Sequence, residues 1–276
     1  MTADRPPRIL VTNDDGVHAP GIRALARAAY ERGMDVVVAA PEAEASGMSA
    51  ALSAVTEDGR LVFRETELDG LPGVPAYAVA ASPAYIAILA GLGVFGPVPD
   101  LLLSGINRGA NAGHAVLHSG TVGAALTAGN NGIRALAVSL DVLTPAQASA
   151  GSGGAAIAVL DSVDDESRHW STAAELAGTL LPWLAGADPG TVLNLNVPDL
   201  PAEQVAGLRQ ATLAPFGQVQ VSVAERGEGF VRTAVEVNAV RAVPGTDIAW
   251  LADGYAAVTA VRALGHLPEV ELPVDG

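Results

Sequence analysis

Four short segments carry the residue types that could do chemistry, and each either follows an apolar run of strand length or opens a helical one. They are Asn13-Asp14-Asp15-Gly16 with Val17-His18-Ala19-Pro20-Gly21 behind it, Ala40-Pro41-Glu42-Ala43-Glu44-Ala45-Ser46-Gly47, Ser104-Gly105-Ile106-Asn107-Arg108-Gly109-Ala110-Asn111-Ala112-Gly113, and Ser119-Gly120-Thr121-Val122-Gly123. Two adjacent carboxylates at the end of a buried strand repel each other and lose hydration unless a cation joins them, and hard divalent cations prefer oxygen ligands. Asn107 and Asn111 could offer amide oxygen to a cation and amide N–H to an anion. Ser119, Gly120 and Thr121 fall where a helix should begin, and free N–H groups and the helix dipole attract phosphate there. Singly, each has a plainer reading: a polar turn, a loop, a helix cap. Joined, they make an acid pair for a metal, neutral oxygens to complete its shell and an anion cradle beside it. That set suits metal-assisted hydrolysis of a phosphate ester.

The elements that must position these segments read as an α/β fold. Ile9-Leu10-Val11-Thr12 is a short apolar strand, and in an open α/β sheet ligands bind just beyond the carboxyl ends of strands. Ile22, Leu25, Ala26 and Ala29 share one helical face within 21–32, Gly33 stops that helix, and 35–40 reads as a buried parallel strand, completing a βαβ unit. Ser82-Pro83 should open a helix through Leu92, with the serine as cap. A strand at 100–104 should stop at Gly105. A helix at 119–128, a strand at 135–140, a helix at 172–184 and a strand at 191–197 then complete a Rossmann-like three-layer core with a mainly parallel sheet over 1–198. The Ala/Ser/Gly-rich 144–156 and acidic 161–166 mark a surface insertion at 144–168. Beyond Pro198, 218–224 and 230–237 alternate as strands around Glu225-Arg226-Gly227-Glu228-Gly229, a hairpin within a C-terminal extension, 199–276, that either joins subunits or adds a further sheet.

Composition narrows the partners. The 276 residues are 50% apolar and 16% charged, which fits a packed globular chain. A net charge of −15 disfavours nucleic-acid duplexes and anionic membranes. All 15 basic residues are arginine, so neither a P-loop lysine nor Schiff-base chemistry is available, and the third segment lacks the G-x-G-x-x-G spacing of a dinucleotide site. Without cysteine there is no disulfide or thiolate metal site. The first eight residues lack the apolar stretch of a signal peptide, and no apolar run reaches membrane-spanning length, so a cytoplasmic protein is expected.

The order of these motifs resembles the SurE family of metal-dependent 5′/3′-nucleotidases, also called survival proteins or stationary-phase acid phosphatases. The resemblance is carried by Asn13 to Gly21, Ala40-Pro41 with Ser46-Gly47, Ser104 to Gly113, Ser119 to Val122, Leu193-Asn194-Leu195-Asn196-Val197-Pro198 and Gly245-Thr246-Asp247. It implies one divalent metal ion per subunit, Mg²⁺ or Mn²⁺, held by Asp14, Asp15, Ser46 and Asn107. It also implies a phosphate site lined by Asn111, Ser119, Gly120 and Thr121, with Asp14 or Asp15 positioning the attacking water. The substrate would be a nucleoside monophosphate, and strand exchange through the C-terminal extension would make a homo-oligomer, dimer or tetramer.

His18, Arg108 and His118 flank these residues as supporting groups, each with a solvated or capping role as its alternative. Departures from the family pattern stand at Tyr85, where an acid is usual, and at His114 and His118, where an acidic pair and a tyrosine are common. His114 and His118 have a zinc-like spacing, but their glycine-rich setting argues against a helix. The departures keep open a pathway-specific phosphatase for another small phosphate ester. A catalytically inactive nucleotide-binding homologue and a different Rossmann-type enzyme are further alternatives, although the intact acid pair argues against a pure binder.

Overall fold

The computed structural model describes residues 5–45, 48–142, 164–216, 219–237 and 243–262. Among them, nine strands form one sheet in the order β10-β13-β9-β8-β7-β1-β2-β6-β5. These strands are β1 (Arg8–Thr12), β2 (Asp35–Pro41), β5 (Phe63–Thr66), β6 (Ala76–Val79), β7 (Leu101–Arg108), β8 (Arg134–Asp141), β9 (Val192–Pro198), β10 (Leu208–Gln210) and β13 (Ala256–Val261). Two small antiparallel pairs stand apart from it: β3 (Thr56–Glu57) with β4 (Arg60–Leu61), and β11 (Val219–Gly227) with β12 (Phe230–Val237). Strands β6, β2, β1, β7, β8 and β9 run parallel, while β5 and β13 pair antiparallel at either side.

The apolar runs explain the layers. Successive residues of a strand point to opposite faces. Ile9 and Val11 therefore join α1 (Pro20–Glu31) and α4 (Trp170–Gly186) in one core, and Leu10 joins α2 (Pro83–Gly91) and α3 (Gly120–Asn130) in the other. From β1 the chain builds outward through β2 and β6, then returns to lay β7 on the other side of β1. Strand order reverses there, and ligands of open α/β sheets bind in the crevice at such a switch point. The acid pair leaves β1 at this crevice.

Several local expectations are modified. Ser82 takes the N-cap position of α2, but its Oγ donates to Ala51 O at 2.6 Å and accepts from Ser53 N–H at 3.2 Å, so it ties down a neighbouring loop instead of capping. The strand expected to stop at Gly105 continues to Arg108, with a register slip against β8 between Ser104 and Asn107. Gly105, at φ +136°, lies where a Cβ would come within 2.3 Å of Val138 O, so only glycine lets the strand pass and carry Asn107 onward. Hairpin strands β11 and β12 run closer together than expected and leave Glu228-Gly229 as the turn. His114 and His118 do lie in a helix, a 3₁₀ turn over Gly113–His118, and both are exposed.

Residues 144–163 of the expected insertion lie outside the described residues, whereas Arg168 at its end is buried. The chain after Pro198 changes texture without leaving the sheet, because β13 pairs with β9 and β10 with β13. No helix among the described residues is long and apolar enough to cross a membrane.

Gly21 packs the start of α1 directly on β7, and a Cβ there would sit 2.1 Å from Ile106 O. Gly21→Ala should cost roughly 2–3 kcal/mol of stability by overpacking. Gly186→Ala, at a helical position with nothing nearby, should be neutral or gain up to about 1 kcal/mol. Urea unfolding of the two variants checks the pair, and equal effects would contradict the packing shown at Gly21.

Candidate metal and phosphate site

The site grows from the turn after β1. Asn13 is fully buried, and its amide closes the turn on itself, donating to Gly16 O at 2.9 Å and accepting from Gly16 N–H at 3.2 Å. This fixed turn presents Asp14 and Asp15 in different directions. Asp14 is buried against the first turn of α3, where its Oδ1 accepts from the Thr121 hydroxyl and its carboxylate from the Thr121 N–H. Gly120 makes this approach possible, since a Cβ there would lie 2.7 Å from Asp14 Oδ2. Burial raises the Asp14 carboxyl above its ordinary value, and the Thr121 hydrogen bonds partly offset it.

Asp15 turns toward the crevice. Its Oδ2 is buried without a hydrogen-bond partner. Burial pushes its carboxyl up to about 7, with the negative charges of Asp14 and Glu44 adding to the rise and the Arg108 side chain and N–H opposing it. An unpaired carboxylate oxygen in such a place is costly. A divalent cation shared with Asp14 would relieve both the burial and the repulsion, so the donor chemistry fits such an ion.

Asn107 is carried to the same edge at the end of β7, and its Nδ2 donates to Gly109 O at 2.8 Å, which commits the nitrogen and leaves Oδ1 as the group with ligand character. Ser46 lies outside the described residues, but Ala45 before it donates its N–H to Asp14 O at 2.7 Å, which brings that loop to the acid pair.

The expected phosphate residues have structural partners. Ser119 caps α3, its Oγ accepting from Val122 N–H at 3.0 Å. Thr121 faces Asp14, so the helix N-terminus is directed first at a carboxylate of the chain itself. Asn111 Nδ2 donates to Ser139 Oγ at 2.9 Å, while its backbone is clamped by Asn194 and Asn196: both amides donate to Asn111 O, at 2.8 and 3.0 Å, and Asn196 Oδ1 accepts from Asn111 N–H at 2.8 Å. Asp247, fully buried, accepts from Gly113, Ala214 and Ile248 N–H at 2.7–2.9 Å and so ties the same loop to the C-terminal segment. His18, His118 and Arg108 are exposed, with Arg108 Nη1 3.8 Å from Asp165 Oδ2.

Sequence reasoning passed over the clamping roles of Asn194, Asn196 and Asp247. The signal was there in the first two, since an amide on alternate positions of a fully buried strand needs a partner. It also gave no place to Asp165 and Trp170, which with Asp15, Glu44 and Arg108 line a cavity of about 320 Å³.

Because Asp15 holds its proton up to about pH 7, a cation must displace that proton at lower pH. Affinity for Mn²⁺ should therefore fall by up to about tenfold per pH unit below 7 and level off above it. Calorimetric titration between pH 5.5 and 8.5 checks this, and a flat profile would remove Asp15 from the cation site.

Comparison with known proteins identifies the family to which the chain belongs. The family model described as Survival protein SurE matches residues 9–219. The chain is 36% identical to the 5′/3′-nucleotidase SurE of Escherichia coli O127:H6 over 92% of its own length and 90% of that protein. It is 35% identical to the 5′/3′-nucleotidase SurE of Shigella dysenteriae serotype 1 with the same coverage. Its fold is similar to that of the crystal structure of the SurE protein from Aquifex aeolicus, with a TM-score of 0.70, 27% identity and 93% of each chain covered. With a family model spanning most of its length and relatives matched almost end to end, the chain belongs to the SurE family.

Proposed function

We propose that this protein is a metal-dependent phosphoric monoester hydrolase that converts nucleoside 5′- and/or 3′-monophosphates to nucleoside and phosphate. The observation that carries the reading is the buried, unpartnered Asp15 Oδ2 beside Asp14 at the switch-point crevice. The relatives' name, 5′/3′-nucleotidase, supports the substrate class. Asp14, Asp15, Ser46 and Asn107 would hold one divalent ion per subunit, Mg²⁺ or Mn²⁺. Such an ion supplies charge stabilisation at the phosphoryl oxygens and acidifies an attacking water.

The chain's own groups do the rest. Thr121 holds Asp14 still through two hydrogen bonds, and Asn13 fixes the angle between the two acids. Asp14 or Asp15 orients the water as its oxygen bonds to phosphorus. The bond to the leaving oxygen breaks in line, and a proton given up by the attacking water ends on that oxygen, which departs as the alcohol. Asn111, Ser119 and Gly120 border the phosphoryl group, with Asn111 kept in place by Asn194 and Asn196. Arg108 adds positive charge at the crevice, and His18 and His118 are the further supporting groups of this reading.

A homo-oligomer in the cytoplasm completes the reading. Among the described residues, β11 and β12 pair only with each other, and Phe230 and Val231 are exposed on them, which suits an arm that reaches a second subunit.

Phosphate release from a panel of 5′- and 3′-nucleotides and sugar phosphates, each with chelator, Mg²⁺ or Mn²⁺, tests the function. Metal-dependent release from nucleotides is expected, and Asp15→Asn should lower it at least about a thousandfold, near 4 kcal/mol, while the circular dichroism stays native. Undiminished turnover in that variant would dismiss the acid pair as the site. Removal of 219–237 should turn the oligomer into a monomer by light scattering; a monomeric full-length chain would contradict the arm.

A further inference from the structure

Asp165 and Trp170 form one wall of the crevice, and the segment that carries them, 164–170, is anchored by side-chain hydrogen bonds. The Arg168 side chain is 3% exposed. Its Nε donates to Asp165 Oδ1 at 2.9 Å, and its Nη1 donates to Asp199 Oδ2 at 3.3 Å. Asp199 Oδ1 in turn accepts from His169 N–H at 2.9 Å and lies 2.8 Å from His169 Nδ1. Trp170 Nε1 donates to the Asp165 carbonyl at 2.6 Å. The other carboxylate oxygen of Asp165, Oδ2, faces Arg108 Nη1 at 3.8 Å. Asp165 is thus a carboxylate fixed from behind, with one edge on the cavity that also touches Asp15.

This cavity borders Asp15, so we assign the leaving group of a bound ester to it. It measures about 320 Å³ and includes Asp15 in its lining. A second hollow of about 310 Å³, lined by Pro41, Ala45, Ser53 and Ser82 among others, includes neither Asp14 nor Asp15. The lining of the first cavity carries three carboxylates, Asp15, Glu44 and Asp165, and one guanidinium, Arg108, which faces Asp165, while Arg168 pairs with Asp165 from behind and is shared with Asp199. Carboxylates accept hydrogen bonds from hydroxyl and amino groups and repel further anions.

Building on the phosphatase reading above, we propose that Asp165 is a specificity-determining residue. Its carboxylate accepts a hydrogen bond from a hydroxyl or amino group of the leaving group, and it excludes esters whose leaving group carries a second phosphate. The favoured substrate is a monophosphate of a neutral, donor-rich alcohol such as a nucleoside, and bisphosphates are disfavoured.

The test compares adenosine 5′-monophosphate with adenosine 3′,5′-bisphosphate, using the full-length protein with Mn²⁺. Whichever phosphate of the bisphosphate meets Asp15, the other rides on the leaving group. The wild type should favour the monophosphate in kcat/KM by at least about tenfold. Asp165→Asn should shrink that ratio to roughly threefold or less, mainly through a lower KM for the bisphosphate, and Asp165→Glu, which keeps the charge, should restore it.

An unchanged ratio in a folded Asp165→Asn would leave Asp165 a merely structural partner of Arg168 and overturn the proposal. So would equal use of the two esters by the wild type. If Asp165→Asn does not fold, Glu44→Gln decides: it removes charge from the same cavity and should narrow the ratio in the same direction, and no change there also overturns the proposal. Release of no phosphate from either ester by the wild type would instead overturn the phosphatase reading, and this one with it.

Discussion

Two neighbouring carboxylates must be kept at the end of a fully buried strand, and most of what surrounds them answers that requirement. Each buried ion costs several kcal/mol of hydration, and the pair repels itself in addition. Asp14 is met by the N-terminus of α3, where the hydroxyl and N–H of Thr121 both reach it. That solution needs a helix brought to within contact of β1's end, and the contact in turn needs glycine at 120. The same helix approaches the loop at Ser49 so closely that Gly123 also has no room for a side chain. Asp15 receives no comparable protein partner at Oδ2, and that asymmetry is what gives the crevice its chemical character.

The sheet supplies the rigidity this arrangement needs. Gly105 lets β7 slip past β8 and continue far enough to deliver Asn107, after which the chain leaves the sheet as the glycine-rich loop. That loop is then pinned from two directions in the chain. Asn194 and Asn196 on β9 grip the backbone of Asn111, and Asp247 from the C-terminal segment grips Gly113. A metal or phosphate site tolerates little movement of its ligands. The C-terminal part of the chain is therefore coupled to the site through hydrogen bonds, well beyond its pairing of β13 with β9.

Chemistry and selectivity are assigned to different parts of the fold. The groups proposed to act on phosphorus come from strand ends and the start of α3, which the core fixes. The wall proposed to judge the leaving group comes from 164–170, anchored by Arg168 and Asp199. The two parts meet at Arg108, whose guanidinium faces Asp165 and whose side chain and N–H act on Asp15.

The sequence by itself determined the βαβ beginning, the alternation of apolar runs with helical faces and the placing of acids, amides and a helix cap at strand ends. These are properties of neighbours along the chain, set by backbone sterics, capping and hydrophobic periodicity. The family resemblance was equally legible, because it rests on residue order alone. Tertiary structure decided the partners. Thr121 reaches back 107 residues to Asp14, Ser82 abandons its own helix for Ala51, and Gly105 carries β7 onward because Val138 O lies where a side chain would be. Asp165 gained a place at the crevice only when Arg168 was buried against Asp199. A side chain's type states what it can bond to, but its partner is set by which distant segments the packed core brings within about 3 Å, and no local pattern records that distance.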